Sequence, residues 1–260
     1  MEKVDWNLLL HDALSMPGKL SEAYFAMHNY SLSNRVLAIK QLVPRGLPIS
    51  PIASFNRWKE LGRKVKKGEK ALSLIMPLTI WKRNEASDEN DETDKIHKGF
   101  MLKKFWFSLY QTDGDPVPEI IIPEWDREMA LSRLGIREEV FVGFDGNSMG
   151  YAVPRESLIA INPLNRLPFK TSFHEIAHCL LHSEESILVD YLLLEKAIYE
   201  VEAESVAYLC CASLGLPGLE ESRGFIQYWM SNSAPGSLSD KNIRRIFGAA
   251  DRILSAGHRG

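Results

Sequence analysis

The spacing of apolar residues along the chain predicts alternating helical and extended regions. Residues 5–42 place apolar side chains every three or four positions, which predicts that this stretch is largely helical. Ser54 is a favoured N-cap residue and precedes a predicted short helix that ends at Leu61. The segments Ala71–Trp81 and Phe100–Gln111 predict two strands, the second of them rich in aromatic residues. The N-terminal part of the chain is therefore expected to combine helices with a small sheet.

Acidic and turn-forming segments divide the chain. The acidic run at 85–94 separates the two predicted strands and is most simply a solvated or disordered hairpin tip. The run Thr112–Pro118 is rich in Gly, Asp and Pro, which favour turns, and it makes a natural domain boundary. We therefore predict an N-terminal domain at 1–115, a linker at 116–126 and a C-terminal domain at 127–260.

The C-terminal domain is predicted to contain more helix than strand. A helix is expected from Arg127, followed by strands at Val140–Phe144 and Ser157–Asn162. Further helices are predicted at Lys170–His182, Leu188–Leu214, Glu220–Met230 and Asp240–Leu254. The last of these carries a continuous apolar stripe, which is typical of a helix packed on a core. The whole pattern predicts an α+β fold with two domains.

Composition and charge indicate a soluble globular protein. The 260 residues are 45% hydrophobic and 25% charged, and the net charge of −3 gives no overall basic excess that would indicate nucleic-acid binding. The start of the chain lacks a secretory pattern, and no apolar run approaches the roughly 20 residues that a membrane span requires. The three cysteines, an odd number without metal-site spacing, fit reduced thiols. We therefore expect a cytoplasmic protein with no membrane partner.

The segment His174-Glu175-Ile176-Ala177-His178 carries the strongest chemical signal. Residues four apart on a helix share one face, so both imidazoles can bind one metal ion. Glu175 lies roughly 100° around the helix from His174, which places its carboxylate beside the ion, where it can act as a general base. Apolar neighbours make the helix mostly buried, and two histidines and a glutamate are costly there unless they are satisfied.

A third ligand is expected on the following helix, because a catalytic zinc ion needs three protein ligands and one open position. Glu200 and Glu204 share one helix face, whereas Glu202 points elsewhere. One of the two carboxylates can bind zinc while the other accepts a hydrogen bond from a ligand imidazole. Glu-x-x-Ala-Glu after H-E-x-x-H resembles the gluzincin, or thermolysin-like, arrangement. That resemblance implies that Glu200 is the ligand and that Glu204 supports a ligand histidine.

The sequence leaves the roles of several neighbouring residues undecided. Asp190 and Glu195 are weaker candidates for the third ligand. His182 lies one helical turn beyond His178 and could line the cleft, although a core or surface histidine is the simpler interpretation. The residue that assists the developing oxyanion is undecided among three tyrosines, Tyr151, Tyr199 and Tyr208.

A basic loop, Arg57–Lys70, concentrates positive charge in an otherwise slightly acidic chain. Such a cluster attracts phosphates, and nearby aromatic residues such as Phe55 and Trp106 can stack on unpaired bases. Taken alone, however, a basic loop is more often a solvated surface, and an aromatic residue more often belongs to the core. Composition therefore permits single-stranded-DNA binding without establishing it.

Sequence blocks along nearly the full chain resemble the ArdC antirestriction family. The blocks are Tyr30–Asn34, Phe55–Trp58, Gly62–Lys70, Phe107–Gly114, Gly150-Tyr151, Ile161–Pro163, His174–His178, Glu200–Glu204 and Tyr228-Trp229. The resemblance implies an N-terminal α+β domain that binds single-stranded DNA, and a C-terminal zincin-like domain whose H-E-x-x-H helix packs on a small sheet. DNA contacts are then expected at Asn34, Arg57, Trp58, Arg63, Lys66, Lys67 and Lys70. One departure is Ser33, where the family often has glycine.

The resemblance leaves two functions in competition, both for a protein of a conjugative plasmid or related mobile element that protects incoming DNA from host restriction. In the first, the chain is a metallopeptidase in which His174, His178 and Glu200 bind Zn²⁺ and Glu175 takes a proton from the attacking water. In the second, the chain is a non-enzymatic DNA-binding shield with a structural or vestigial zinc site. Glu175 favours the enzyme, because a structural site needs no base.

Overall fold

The computed structural model describes residues 4–82, 94–117, 124–142, 148–182, 192–230 and 238–258. Within these segments the chain forms nine helices and eight strands. The helices are α1 (Trp6–Ser15), α2 (Pro17–Ala26), α3 (Leu32–Leu42), α4 (Phe55–Glu60), α5 (Arg127–Leu134), α6 (Pro168–Leu181), α7 (Leu192–Leu214), α8 (Leu219–Met230) and α9 (Asp240–Ala256). The strands are β1 (Ile52–Ser54), β2 (Arg63–Val65), β3 (Leu72–Lys82), β4 (Asp94–Ser108), β5 (Thr112–Gly114), β6 (Arg137–Glu138), β7 (Gly150–Val153) and β8 (Leu158–Ile161).

The mixture of helices and strands confirms the predicted α+β fold class. The N-terminal helical stretch forms α1, α2 and α3, and the predicted short helix is α4. Ser54 caps α4 by accepting a hydrogen bond from the Arg57 amide. The two predicted strands are β3 and β4, but β4 ends at Ser108, where a capping box with Gln111 turns the chain. Most of the acidic segment at 85–94 lies outside the described residues.

The sheet of the N-terminal part has the order β1-β4-β3, and both of its strand pairs are antiparallel. Helix α3 contacts β3 and covers the side of this strand that has no strand neighbour. The side-chain amide of Asn34 donates to the Ile75 carbonyl oxygen (3.1 Å) and accepts from the Ile75 amide (2.7 Å). Gln41 makes the same two bonds to Ser73, at 2.9 and 2.8 Å. Two side chains therefore satisfy backbone groups that a further strand would otherwise pair with.

The sheet of the C-terminal part has β8 in its centre, parallel to β6 and antiparallel to β7. The strand predicted at Ser157–Asn162 is confirmed as β8. The strand predicted at Val140–Phe144 is wrong for the residues described, because Val140 and Val142 are exposed and unpaired with any strand. The chain runs beside β8 earlier, at Arg137–Glu138, so backbone proximity rather than apolar character decides where this strand forms.

One continuous core joins the two halves of the chain. Helix α7 contacts α2, α6, α8 and α9, and α9 in turn contacts α1 and α3. Hydrogen bonds cross the same junction: the Tyr208 hydroxyl donates to the Leu14 carbonyl (2.9 Å), and the Leu32 amide donates to Asp251 (2.7 Å). The domain boundaries drawn above stay a prediction. An isolated fragment 1–115 would expose apolar surface that the full chain buries, so function is best tested in the full chain.

A buried cation lies at this junction. Arg35 is 3% exposed, donates to two carbonyl oxygens of the α2–α3 connection, and lies 5.0 Å from the centre of the Tyr24 ring. Burial raises the pKa of Asp251 to about 6, although the Leu32 amide and Arg35 oppose this shift. The folded chain therefore holds the Asp251 proton more tightly than the unfolded chain does.

This difference predicts a pH-dependent stability. The contribution of protonated Asp251 should be fully present below its ordinary pKa of 3.8 and should be lost as the pH rises through about 6. Asp251→Asn cannot titrate, so it isolates the effect. We expect the unfolding free energy of the wild type, relative to this variant, to fall between about pH 4 and pH 6 and then to level off, as measured by urea denaturation. A difference that is flat or rises over this range would contradict the assignment.

Candidate metal centre

Helix α6 presents the motif residues from a mostly buried position. It begins with Pro168, which is favoured there because the first helical amide needs no partner. Phe173 and Ile176 are fully buried and anchor the helix on the core. The helix contacts β7, β8 and α7. Its His174 and His178 side chains lie on the face that is turned to Glu200 of α7.

Two imidazole nitrogens and one carboxylate converge between α6 and α7. The Nε2 atoms of His174 and His178 lie 3.1 Å apart. Glu200 places Oε2 3.3 Å from Nε2 of His174 and Oε1 3.7 Å from Nε2 of His178. Ligand atoms around a tetrahedral zinc ion, with bonds of 2.0–2.1 Å, are about 3.3 Å apart. The three residues named as ligands from the sequence are thus brought together with the donor chemistry and spacing of a metal site.

Glu204 supports His174, in the position that the gluzincin resemblance implies. Its Oε2 lies 3.1 Å from Nδ1 of His174, so this nitrogen donates to the carboxylate and Nε2 is the nitrogen that faces the site. Lys170 contacts the other oxygen of Glu204 at 2.9 Å, and Ser222 donates to the same oxygen. Burial opposes ionisation, but these three partners lower the pKa of Glu204 to about 2.

His178 is supported by residues that the sequence analysis did not assign to the site. Its Nδ1 lies 2.9 Å from Nδ1 of His182, and Nε2 of His182 lies 3.0 Å from Oε2 of Glu202. Both supporting side chains are buried, at 4% and 0% exposed. The spacing of His182, four residues after His178, repeats that of the two ligands and was the available signal. Glu202 gave none, because its burial depends on α9.

Burial and neighbouring charges set the protonation of the metal-free site. Burial opposes protonation of His174, but hydrogen bonds to Glu200 and Glu204 raise its pKa to about 9. Burial, with the charge of His174 as the next cause, lowers the pKa of His178 to about 4. The two candidate ligand histidines therefore differ in charge, because protonation is favoured on His174 and opposed on His178.

Glu175 lies beside the three candidate ligands rather than among them. It is 8% exposed, and burial raises its pKa to about 7, although the charge of His174 opposes this shift. Together with His174, Lys170 and Gly150 it lines a cleft of about 300 Å³. A carboxylate with a pKa near neutrality can take up and release a proton at physiological pH.

Gly150 brings β7 close to Glu175. A Cβ atom at this position would lie 2.7 Å from Cγ2 of Thr171, 3.0 Å from the carbonyl oxygen of Ala160 and 3.3 Å from Oε1 of Glu175. Any larger residue would push the strand away from α6. Among the described residues β7 has β8 as its one strand neighbour, and Gly150 at the start of β7 lines the cleft.

The structure gives different surroundings to the three tyrosines that the sequence left open for assisting an oxyanion. Tyr208 is fully buried and donates to a carbonyl of α1, so it is unsuited to assist an oxyanion. Tyr199 stacks on the His182 ring at 4.4 Å, and Tyr151 donates to Glu139 at 2.9 Å. Asp190 and the side chain of Glu195 lie outside the described residues.

Three of the predicted DNA contacts have structural partners instead. Trp58 is 1% exposed and donates to the Phe107 carbonyl at 2.8 Å, so its ring cannot stack on a base, and that prediction is corrected. The amide of Asn34 is engaged on both sides by β3. The guanidinium of Arg63 donates to the side chain or carbonyl oxygens of Thr112, Gly114 and Asp115, which ties β2 to β5.

The remaining predicted DNA-contact residues have charged side chains that are exposed. Arg57 is exposed and pairs with Glu60, and Lys66 contacts the Tyr110 carbonyl (3.1 Å) and Asp113 (3.5 Å). Lys67 and Lys70 are exposed, and within the described part of the chain neither has an ion-pair partner. Two exposed rings lie near these charges: Phe55 comes two residues before Arg57 in the sequence, and Tyr110 contacts Lys66 through its carbonyl oxygen.

A family described as the N-terminal domain of anti-restriction factor ArdC matches residues 11–107. Two crystal structures of the antirestriction ArdC protein from plasmid R388, one metal-free and one Mn(II)-bound, share the fold. They are 22% and 21% identical to this chain, cover 97% and 98% of it and 94% and 96% of their own length, and have TM-scores of 0.55 and 0.57. Residues 11–107 thus match the ArdC N-terminal domain family, and the chain as a whole shares the fold of the R388 ArdC protein.

A longer protein also matches most of the chain. This uncharacterized Bacillus anthracis protein is 24% identical over 273 aligned positions, which cover 87% of the present chain. The chain spans about half, 45%, of the length of that relative. None of the helices in the described segments has the length and apolar character of a membrane span.

The close approach at Gly150 generates a stability prediction. Gly150→Ala should lower the free energy of unfolding by about 1–3 kcal/mol, because the new methyl group meets Thr171 and a backbone oxygen. Gly248→Ala is the matched control, because nothing lies within 4 Å of its Cβ position in α9. There the same change should be neutral or stabilising by up to about 1 kcal/mol. Equal effects of the two substitutions in urea denaturation would show that Gly150 is not sterically required.

Proposed function

We propose that this chain is an ArdC-family antirestriction protein of a mobile element that binds single-stranded DNA and cleaves a protein substrate with a zinc-dependent metallopeptidase site. The observation that carries the proposal is the convergence of His174, His178 and Glu200 beside the buried carboxylate of Glu175. The protein would act in the cytoplasm of the cell that receives the DNA, where restriction enzymes act.

Zinc is the metal that the donor set favours. Two imidazole nitrogens and one carboxylate match the three protein ligands of catalytic zinc sites, whereas manganese prefers oxygen-rich octahedral sites. The R388 protein binds Mn(II) in a crystal, which supports a divalent cation in this family without fixing its identity. A zinc ion held by these residues would supply Lewis-acid polarisation of the scissile carbonyl and of water.

The chain's own residues would bind the substrate and move the proton. An extended peptide would pair with the outer edge of β7, whose first residue, Gly150, lies close to Glu175. The Glu175 carboxylate accepts a proton from the attacking water as the carbon–oxygen bond forms. It returns this proton to the nitrogen as the carbon–nitrogen bond breaks, so one carboxyl group and one amine leave.

Single-stranded DNA is proposed to bind at the basic loop, with Lys67 and Lys70 as phosphate contacts. Both are exposed, and the positive φ of Gly62 and Gly68 (73° and 89°) shapes the turns that present them. Exposed rings such as Tyr110 can stack on bases without sequence preference.

The charge-reversal variant Lys67→Glu/Lys70→Glu tests this surface in the full chain. Single-strand affinity should fall, and the slope of log affinity against log salt should decrease by about 0.7 for each lost phosphate contact. The control, Lys19→Glu/Lys241→Glu, makes the same change of net charge at exposed positions on α2 and α9. If both double variants lose affinity equally, nonspecific charge and not the basic loop governs binding.

Glu175→Gln separates catalysis from shielding. The amide keeps the side-chain volume but cannot accept a proton, so peptide cleavage should fall by about 10²–10⁴-fold. Zinc content, measured by elemental analysis, should stay near one ion per chain, whereas His174→Ala should carry none. Glu156→Gln, an exposed change of the same kind, should preserve cleavage.

Protection of DNA entering a restricting host gives the biological outcome. An enzyme loses protection with Glu175→Gln, whereas a non-enzymatic shield keeps it. Full protection by Glu175→Gln would exclude proteolysis as the basis of antirestriction, and absence of zinc from the wild type after metal is supplied would exclude the zinc site.

A further inference from the structure

The carboxylate of Glu202 is buried at the meeting point of α6, α7 and α9. It is 0% exposed, and its two oxygens have separate partners. Oε2 accepts from Nε2 of His182 at 3.0 Å, and Oε1 accepts from the side-chain nitrogen Nδ2 of Asn242 at 3.0 Å. Arg245 places a guanidinium nitrogen 3.9 Å from Oε1. A buried carboxylate is costly, and two hydrogen-bond donors together with the nearby Arg245 charge offset that cost here.

The donors around Glu202 fix the direction of every hydrogen bond that leads to His178. A carboxylate only accepts, so a neutral His182 donates from Nε2 and is left with a lone pair on Nδ1. Nδ1 of His178 lies 2.9 Å away and must therefore donate. Nε2 of His178 then carries the lone pair that faces His174 and Glu200. The side-chain amide of Asn242 cannot turn its oxygen toward Glu202, because that oxygen accepts from the Ser239 cap of α9. The amide nitrogen of this side chain is therefore the group that faces Glu202.

We propose that His182 and Glu202 are positioning residues that fix the tautomer and the ring orientation of His178, so that its Nε2 is presented as a metal ligand. The inference rests on the proposed metal function of the site and names residues outside its ligands. The two ligand histidines are supported differently. His174 donates directly to a carboxylate, whereas His178 donates to an imidazole that donates to a carboxylate.

A purely structural role is the competing explanation, because the same bonds also hold α6, α7 and α9 together. Arg245 strengthens this alternative, since it also donates to the Leu181 carbonyl at the end of α6. The two roles predict different results. A structural role changes the stability of the metal-free chain, whereas a positioning role changes metal affinity and the ring protonation of His178.

The test compares four variants of the full chain by zinc affinity, measured through competition with a chromophoric chelator. Glu202→Gln introduces an amide donor between two existing donors, and His182→Leu removes the acceptor for His178. Each should weaken zinc binding by about 10–100-fold, the usual effect of losing a residue that supports a metal ligand. His182→Asn can still present an oxygen near the position of Nδ1 and should recover most of the affinity. Ser205→Ala, a buried change on α7 that touches none of these residues, should leave it unchanged.

A second measurement uses the metal-free wild type. Nitrogen-15 spectra of the histidine rings should show a proton on Nδ1 of His178 and on Nε2 of His182. The inference is overturned if His178 lacks the Nδ1 proton, or if His182→Leu and Ser205→Ala bind zinc equally well. If Glu202→Gln fails to fold, the two His182 variants and the spectra still decide. A wild type that binds no zinc but shows this ring protonation would instead refute the proposed function alone.

Discussion

Electron-rich atoms of His174, His178 and Glu200 lie within 3.1–3.7 Å of one another between α6 and α7. Such atoms repel unless a positive charge lies among them, and much of the surrounding structure is arranged to keep them in place. Glu204 bonds the Nδ1 side of the His174 ring, and Glu202 bonds His182, which in turn bonds the Nδ1 side of the His178 ring. Lys170 lies beside Glu204 and Arg245 beside Glu202, and their positive charges offset those of the carboxylates. The cations thus stabilise the buried carboxylates, and the carboxylates hold the candidate ligand histidines in place.

The metal site could be predicted further than the DNA surface, and the reason is geometric. Helical spacing fixes which side chains share a face, so it pairs His174 with His178 and Glu200 with Glu204, and the gluzincin resemblance then favours Glu200 as the ligand. Charge and aromatic content do not fix burial. Arg63 and Trp58 carry the composition of a nucleic-acid contact, but both have partners within the N-terminal part, which only the pairing of distant segments reveals.

The same limit applies to Glu202 and to the strand at Arg137–Glu138. Glu202 belongs to the site because α9 returns to cover α7, a contact between residues far apart in sequence. The short strand forms where the chain passes β8, although the more apolar residues follow it. Local pattern predicts the elements, and tertiary contacts decide their ends and the partners of buried polar groups.

The amides of Asn34 and Gln41 have a consequence for how this protein behaves in a crowded cell. They occupy the outward-facing backbone groups of Ser73 and Ile75, and the next outward-facing position, Pro77, has no amide proton to offer. A long hairpin with an open edge is a template on which other molecules of the same chain can add strands and aggregate. Here the first part of the β3 edge, from Ser73 to Pro77, is closed by groups of the same molecule, so this part of the hairpin offers no free backbone amide on which another chain could add a strand.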